Sequence, residues 1–327
     1  MSETQPVRGE FELIERFFAR PLPAGSSHVR LGVGDDCALL AAAAGEEWAV
    51  STDMLVEGVH FLADVDPESL GHKSLAVNLS DLAACGATPR CYFLAIALPR
   101  IDEAWLADFV RGQNLLADSH HCALAGGDTT RSPSGVTIAI TVMGTVPQGH
   151  ALLRSGARAG DDVWVSGTLG DAALGLACRR GEVRLDGPDA DRMIGRLERP
   201  LPRVALGERL RGIATSAIDV SDGLVGDLGH ILRRSAVGAL IEWPKVPIAD
   251  ALRGLPEDAQ RRLALTGGDD YELLFTAPPG RRQDVLAAGA EIGVTRIGTI
   301  RPTGGFVIVD GQGRPVDTGA AFDHFRQ

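Results

Sequence analysis

The sequence predicts a mixed α/β (α+β) protein built as two domains. Three observations lead there. Strand-like and helix-like apolar patterns alternate along the whole chain. A stretch of turn residues without clear period, "PQGHALLRSGARAGDD", divides the chain near its middle. Finally, 327 residues with 45% hydrophobic content suffice for two cores of ordinary size. The expected domains are residues 1–147 and 148–327.

In chain order, "GEFELIERFFARPL" is expected to be a helix, because Phe11, Ile14, Phe17 and Phe18 share one face until Pro21 stops it. "HVRLGVGDDCALL" and "EEWAVSTDML" are apolar runs broken by Gly and Asp, as strand ends and turns are. "DPESLGHKSLAVNLSDLAACGA" carries Asp66 as N-cap, Pro67 at the first helical position and Gly86 just past the end. A strand "CYFLAIAL", a helix "EAWLADFVRGQNLLADSH" and strands "CALAGGD" and "GVTIAITVMGTV" complete the first domain. The second opens with the strand "VWVSG", a helix from Asp171, a polar interruption at "GEVRLDGPDADR" and the helix "RVALGERLRGI". After "AIDVSDGLVGDLGHILRRS" the segments "GALIEWPKVPI", "YELLFTAPP", "VTRIGTI" and "GFVIVDGQGRPV" read as strands with turns.

Composition excludes several functions. With 43 acidic and 32 basic residues the net charge is −11, which repels a nucleic-acid backbone, and no basic patch reverses it. The start, "MSETQPVRGEFEL", has neither a basic nor an apolar targeting region, and no run approaches a membrane span, so a cytoplasmic protein is expected. Five cysteines (Cys37, Cys85, Cys91, Cys122, Cys178) form no C-x-x-C pair, against a disulfide framework and a structural zinc site alike.

The chemistry lies in the aspartates. Asp35 and Asp36 in "GVGDD", Asp53 in "STD", Asp128 in "AGGDTT", Asp219 and Asp222 in "AIDVSDG", and Asp269 and Asp270 in "TGGDD" each follow strand-like residues or a Gly pair. Acidic decoration of a negative protein should scatter over helix faces, whereas the mouths of strands are where mixed α/β folds collect ligand groups. A lone turn aspartate remains the plain reading of any one of them, Asp53 included. Asp81 differs in lying within a helix, three residues after Asn78. Like charges about 4 Å apart repel by roughly 4 kcal/mol even at an effective dielectric near 20, so clustered carboxylates need a cation. Oxygen ligands without clustered His or Cys point to magnesium, manganese or calcium. Magnesium keeps one or two protein carboxylates and takes its remaining ligands from water and phosphate, which implies a phosphate-rich substrate such as ATP. No P-loop, protein-kinase H-R-D or D-F-G, or hydrolase G-x-S-x-G occurs. Of eight histidines, His60 stands out, seven residues after Asp53.

Taken in order, "GEFELI", "GVGDDCALL", "STDMLVEGVHF", "KSLAVNLSDLAACGA", "GGDTT", "RSGARAGD", "DVSDGL", "GGDDYELLF" and "FDHF" resemble the thiamine-monophosphate kinases, over Gly9 to Phe325. The wider superfamily is that of aminoimidazole ribonucleotide synthetase, with a two-domain PurM-like architecture. The resemblance implies an N-terminal mixed sheet flanked by helices that pairs in a homodimer, and a C-terminal α/β domain completing the site. It also implies ATP-dependent phosphorylation of thiamine monophosphate to thiamine diphosphate with several Mg2+ ions. Carried over residue by residue, the metal ligands are Asp36, Ser51, Thr52, Asp53, Asp81, Asp128, Asp219 and Asp222, with Asp53, Asp81 and Asp128 acting in catalysis through metal positioning. ATP is met by Gly127, Asp128, Arg154 and Ser221. Thiamine monophosphate is met by His60, Asp269, Asp270 and Phe322. Relatives often have Glu-Asp where this chain has Asp269-Asp270, which leaves open which carboxylate touches substrate.

The acceptor is itself a phosphate monoester with a second pKa of about 6, so its attacking oxygen is ionised at neutral pH and needs no general base. Direct in-line transfer is expected, governed by positioning and charge neutralisation. Another ATP-using enzyme of the superfamily, a two-metal phosphohydrolase and a non-catalytic nucleotide-binding module are the alternatives. A selenide-using relative should carry a reactive Cys near its N-terminal glycines, and a hydrogenase-maturation relative should end in Cys; this chain ends "DHFRQ".

Overall fold

The computed structural model describes residues 14–18, 21, 28–31, 39–40, 43–303 and 305–316. The chain divides into two compact units, Met1–Leu82 with Thr88–Gln148, and Ala83–Ala87 with Gly149–Gln327. The division after Gln148 lies one residue beyond the sequence expectation, and the excursion of Ala83–Ala87 into the second unit has no counterpart in it.

The first unit holds β1 (Val29–Leu31) paired antiparallel with β2 (Leu39–Leu40), and a four-stranded sheet of β3 (Glu46–Val56), β4 (Thr88–Leu98), β5 (Ala123–Arg131) and β6 (Thr137–Pro147) in the order β3-β6-β4-β5. Only β4 and β5 are parallel, joined by the crossover helix α2 (Glu103–Ser119), as parallel neighbours require. Asp102 caps α2 by accepting the Trp105 N–H. Helix α1 (Pro67–Ala84) starts where its signals lie: the Asp66 carboxylate accepts the Ser69 N–H at 2.8 Å, Pro67 is the first residue, and Gly86 turns out of the helix with φ of +64°. Ile138, Ile140 and Val142, every second residue of β6, are buried, and Leu75, Leu79, Leu106 and Phe109 of the two helices are buried with them. The other sheet face stays open, with Val50 and Met54 of β3 more than half exposed. Of the helix expected over "GEFELIERFFARPL", only Ile14–Phe18 is described, as one π turn.

The second unit carries a six-stranded sheet of β7 (Asp162–Ser166), β8 (Ser216–Asp219), β9 (Gly238–Glu242), β10 (Leu273–Ala277), β11 (Val294–Arg301) and β12 (Phe306–Val309), ordered β12-β9-β11-β7-β10-β8. Its inner strands β7 and β10 are buried at every residue, which explains the apolar runs at 163–165 and 273–275. The helices are α3 (Asp171–Arg179), α4 (Pro188–Glu198), α5 (Val204–Leu210), α6 (Leu224–Ser235), α7 (Asp250–Arg253), α8 (Glu257–Thr266) and α9 (Arg282–Ala288). Leu174, Leu228, Ile231 and Leu263 from three of them join Val163, Val165, Leu274 and Ile297 in one core.

Three expectations need correction here. The polar interruption at 181–192 contains the start of α4, announced by Gly187 and by Pro188 at its first position. The tail read as strands alone also contains α8 and α9, whose arginine- and alanine-rich turns bury only a few residues each and so give weak periodicity. Asp53 and Asp128 do not sit at strand mouths: both lie inside long strands, and only Asp219 ends one. A Ser-Thr-Asp run looks like a turn by composition, yet in an 11-residue edge strand with one open face polar residues are tolerated at alternate positions.

Candidate active site

In the first unit, β3 and α1 assemble one acidic group. Ser74, Asn78 and Asp81 follow one another at i, i+4 and i+7, hence on one face of α1. That face meets β3. The Ser51 hydroxyl donates to the Asp81 carboxylate, and the Asp53 backbone N–H donates to Asn78 Oδ1 at 3.2 Å. Asn78 is itself locked by donating from Nδ2 to the Ser74 carbonyl at 3.0 Å. Ser51, Asp53 and Asp81, far apart in sequence, are therefore brought together. Thr52 is not part of that group through its side chain. Strand alternation turns it to the open face, where its hydroxyl bonds that of Thr141 at 2.8 Å, so only its backbone faces the group.

Asp128 is held elsewhere. Register runs Asp53–Ile140–Leu94–Gly127 across the sheet, so Asp53 and the Gly127–Asp128 pair are three strand spacings, about 14 Å, apart within the chain. Asp128 lies in the neighbouring row with Ala95, Ala139 and the exposed Met54. Gly127 has a packing reason of its own: a Cβ there would stand 1.9 Å from the Leu94 carbonyl oxygen. His60 closes the turn after β3. Its Nδ1 accepts the Val56 N–H at 3.0 Å, and its carbonyl accepts from Lys73 Nζ at 3.4 Å. Lys73, only 3% exposed, was not singled out by its sequence, although a lysine in a largely apolar helix is a signal.

In the second unit, two acidic loops are sewn together by the backbone. The Asp269 N–H donates to the Ser221 carbonyl at 2.9 Å and the Tyr271 N–H to that of Val220 at 2.8 Å. Asp269 and Tyr271 both have positive φ (+69° and +50°), a conformation non-glycine residues keep only where the surroundings over-determine it. The anchors are on either side. Asp270, 1% exposed, accepts the N–H groups of Gly170 (2.7 Å) and Ala172 (3.2 Å) and so caps α3, and burial raises its pKa well above the carboxylate range. Glu272, fully buried, accepts from Ser166 (2.6 Å), Arg196 (2.6 Å) and Arg203 Nε (2.7 Å). Both oxygens of Asp270 are committed to the backbone, whereas Asp269 is the partly exposed member of the pair.

Asp227 is the functional candidate that sequence reading missed. It is buried one turn into α6, and its Oδ2 accepts the N–H groups of Ser221 and Asp222, each at 3.1 Å. Burial, then the charges of Asp219 and Asp222, push its pKa up to about 8. Its spacing after "DVSDG" was the available signal, a carboxylate on the apolar face of a helix. Asp35, Asp36 and Phe322 lie outside the described residues.

Against known proteins, residues 34–146 match AIR synthase related protein, N-terminal domain, and residues 158–311 match AIR synthase related protein, C-terminal domain. The thiamine-monophosphate kinase of Escherichia coli (strain K12) is 47% identical over 323 residues, covering 97% of this chain and 98% of that protein. The chain belongs to the thiamine-monophosphate kinase family. The crystal structure of the thiamine-monophosphate kinase from Stenotrophomonas maltophilia K279a is 46% identical with a TM-score of 0.82, covering 89% of this chain and 93% of that one. A further solved relative, AaThiL complexed with AMPPCP and TMP, covers 99% of this chain and 100% of its own at 28% identity and a TM-score of 0.77. Both thiamine-monophosphate kinase domains are thus present as PurM-like mixed α/β units. No helix among the described residues is long and apolar enough to cross a membrane.

Proposed function

We propose that this protein transfers the γ-phosphate of ATP to thiamine monophosphate, yielding thiamine diphosphate and ADP. The observation that carries the reading is the near-full-length likeness to thiamine-monophosphate kinases, one solved with AMPPCP and TMP.

The donor set fits a hard divalent cation. Among the described residues no three His, Cys, Asp or Glu side chains form a self-sufficient metal cage. What is present is oxygen donors in small groups, Ser51 with Asp81 and Asp219 with Asp222, which suits an ion that takes the rest of its shell from water and phosphate. Magnesium would be held by Asp53, Asp81, Asp128, Asp219 and Asp222, with Asp36, the Ser51 hydroxyl and the Thr52 backbone, and when bound it neutralises phosphate charge. The proposed ATP contacts are Gly127, Asp128, Arg154 and Ser221. For thiamine monophosphate they are His60 and Asp269, with Phe322 able to add about 0.5–2 kcal/mol by cation–π contact to the thiazolium. Asp270 is reassigned to holding Asp269 in place.

A cytoplasmic homodimer is part of the proposal. The open sheet face with Val50 and Met54, together with the two free edges β3 and β5, supports pairing with a second copy.

The test is to incubate the protein with Mg·ATP and thiamine monophosphate and weigh the products, omitting each component in turn. Thiamine diphosphate with ADP is expected. Inorganic phosphate released equally without acceptor would identify a phosphohydrolase instead.

A further inference from the structure

Helix α6 presents a cationic group that none of the roles above uses. His230 and Arg233 stand one turn apart on it, and Arg233 Nη2 lies 3.0 Å from His230 Nδ1. A guanidinium can only donate, so the imidazole accepts at Nδ1 and is neutral there. Burial first, then the charges of Arg233 and Arg154, hold the His230 pKa below its ordinary value, while Asp222 opposes them. Arg154 is thus close enough to be felt. Its loop is fastened to the end of the same helix: the Ser235 hydroxyl donates to the Arg154 carbonyl (3.2 Å) and accepts the N–H groups of Gly156 (3.1 Å) and Ala157 (3.2 Å).

The direction of Arg233 matters. Helical side chains lean toward the N-terminus, and Arg233 runs back over Gly229, where a Cβ would come within 3.2 Å of Nη1. Glycine costs a helix about 1 kcal/mol relative to alanine, and here it leaves the guanidinium a path toward the Ser221–Asp222 end of α6. The charges of Arg233 and Arg154 both act on the His230 ring, and among the described residues no carboxylate forms a salt bridge with Arg233. An anion of high charge is the ligand that makes such a pair favourable.

Resting on the proposed kinase reading, we propose that Arg233, propped by His230 and given room by Gly229, is a second guanidinium beside Arg154 that binds the nucleotide's polyphosphate, with Ser235 positioning the Arg154 loop. The experiment is calorimetric titration of the full chain with Mg·AMPPCP, which needs no turnover and so is decided independently of the activity assay. Arg233→Gln is expected to weaken binding about tenfold, the equivalent of one charge-assisted hydrogen bond. Gly229→Ala should raise Tm, as alanine does in a helix, and yet weaken binding severalfold by displacing the guanidinium. His230→Leu should follow Arg233→Gln, whereas His230→Gln, which retains an acceptor, should recover most of the affinity. If Arg233→Gln binds within twofold of the parent, or Gly229→Ala gains stability with unaltered affinity, the assignment is overturned.

Discussion

Substituting Asp227 by Asn isolates the electrostatic cost of the acidic loop. In the folded chain without divalent cations its pKa is about 8, against an ordinary value of 3.8. The folded state therefore binds the proton more tightly, and between these two values it carries more protons than the unfolded state. Stability from this group is fully present below about pH 4 and is lost as pH rises toward 8. At about 1.4 kcal/mol per unit, the loss by pH 7 is on the order of 4 kcal/mol, an upper figure for a carboxylate with charged neighbours. Asn retains an acceptor for the Ser221 and Asp222 N–H groups but does not ionise. Urea unfolding of parent and Asp227→Asn in EDTA from pH 5 to 8.5 should give curves that diverge with pH, the variant becoming relatively more stable by several kcal/mol at the alkaline end. Added magnesium should narrow the gap by stabilising the charged parent. Parallel curves, with a difference that does not grow with pH, would refute the account of Asp227 as a carboxylate crowded by Asp219 and Asp222.

Asp53→Asn and Asp128→Asn should each abolish formation of thiamine diphosphate while circular dichroism and Tm stay near the parent's; near-normal rates at ordinary magnesium would remove both from metal binding. Glu272→Ala leaves Arg196 and Arg203 without their buried counter-charge, so it should cost roughly 3–5 kcal/mol in urea unfolding. A cost under about 1 kcal/mol would mean water reaches that site. Asp270→Ala strands the Gly170 and Ala172 N–H groups and should destabilise by roughly 2–3 kcal/mol. Asp269→Asn should instead raise KM for thiamine monophosphate with little change in Tm, and the reverse pattern would exchange the roles of the two aspartates.

Much of this molecule was legible from its residues alone. The cap of α1 and the apolar strands are local events, specified within a few positions, so Asp66, Pro67 and Gly86 announce them directly. The acidic motifs were equally visible, because their order and composition are properties of the chain. Tertiary structure alone decided which side chains meet. Ser51 reaches Asp81 across 30 positions, and Ser166 reaches Glu272 across 106. It also set the face Thr52 presents, the separation of Asp53 from Asp128 by sheet order, and the commitment of Asp270 to a helix end. These depend on strand pairing and register, where a shift of one residue exchanges the two faces, and no local pattern in a chain determines which distant strand it will lie against.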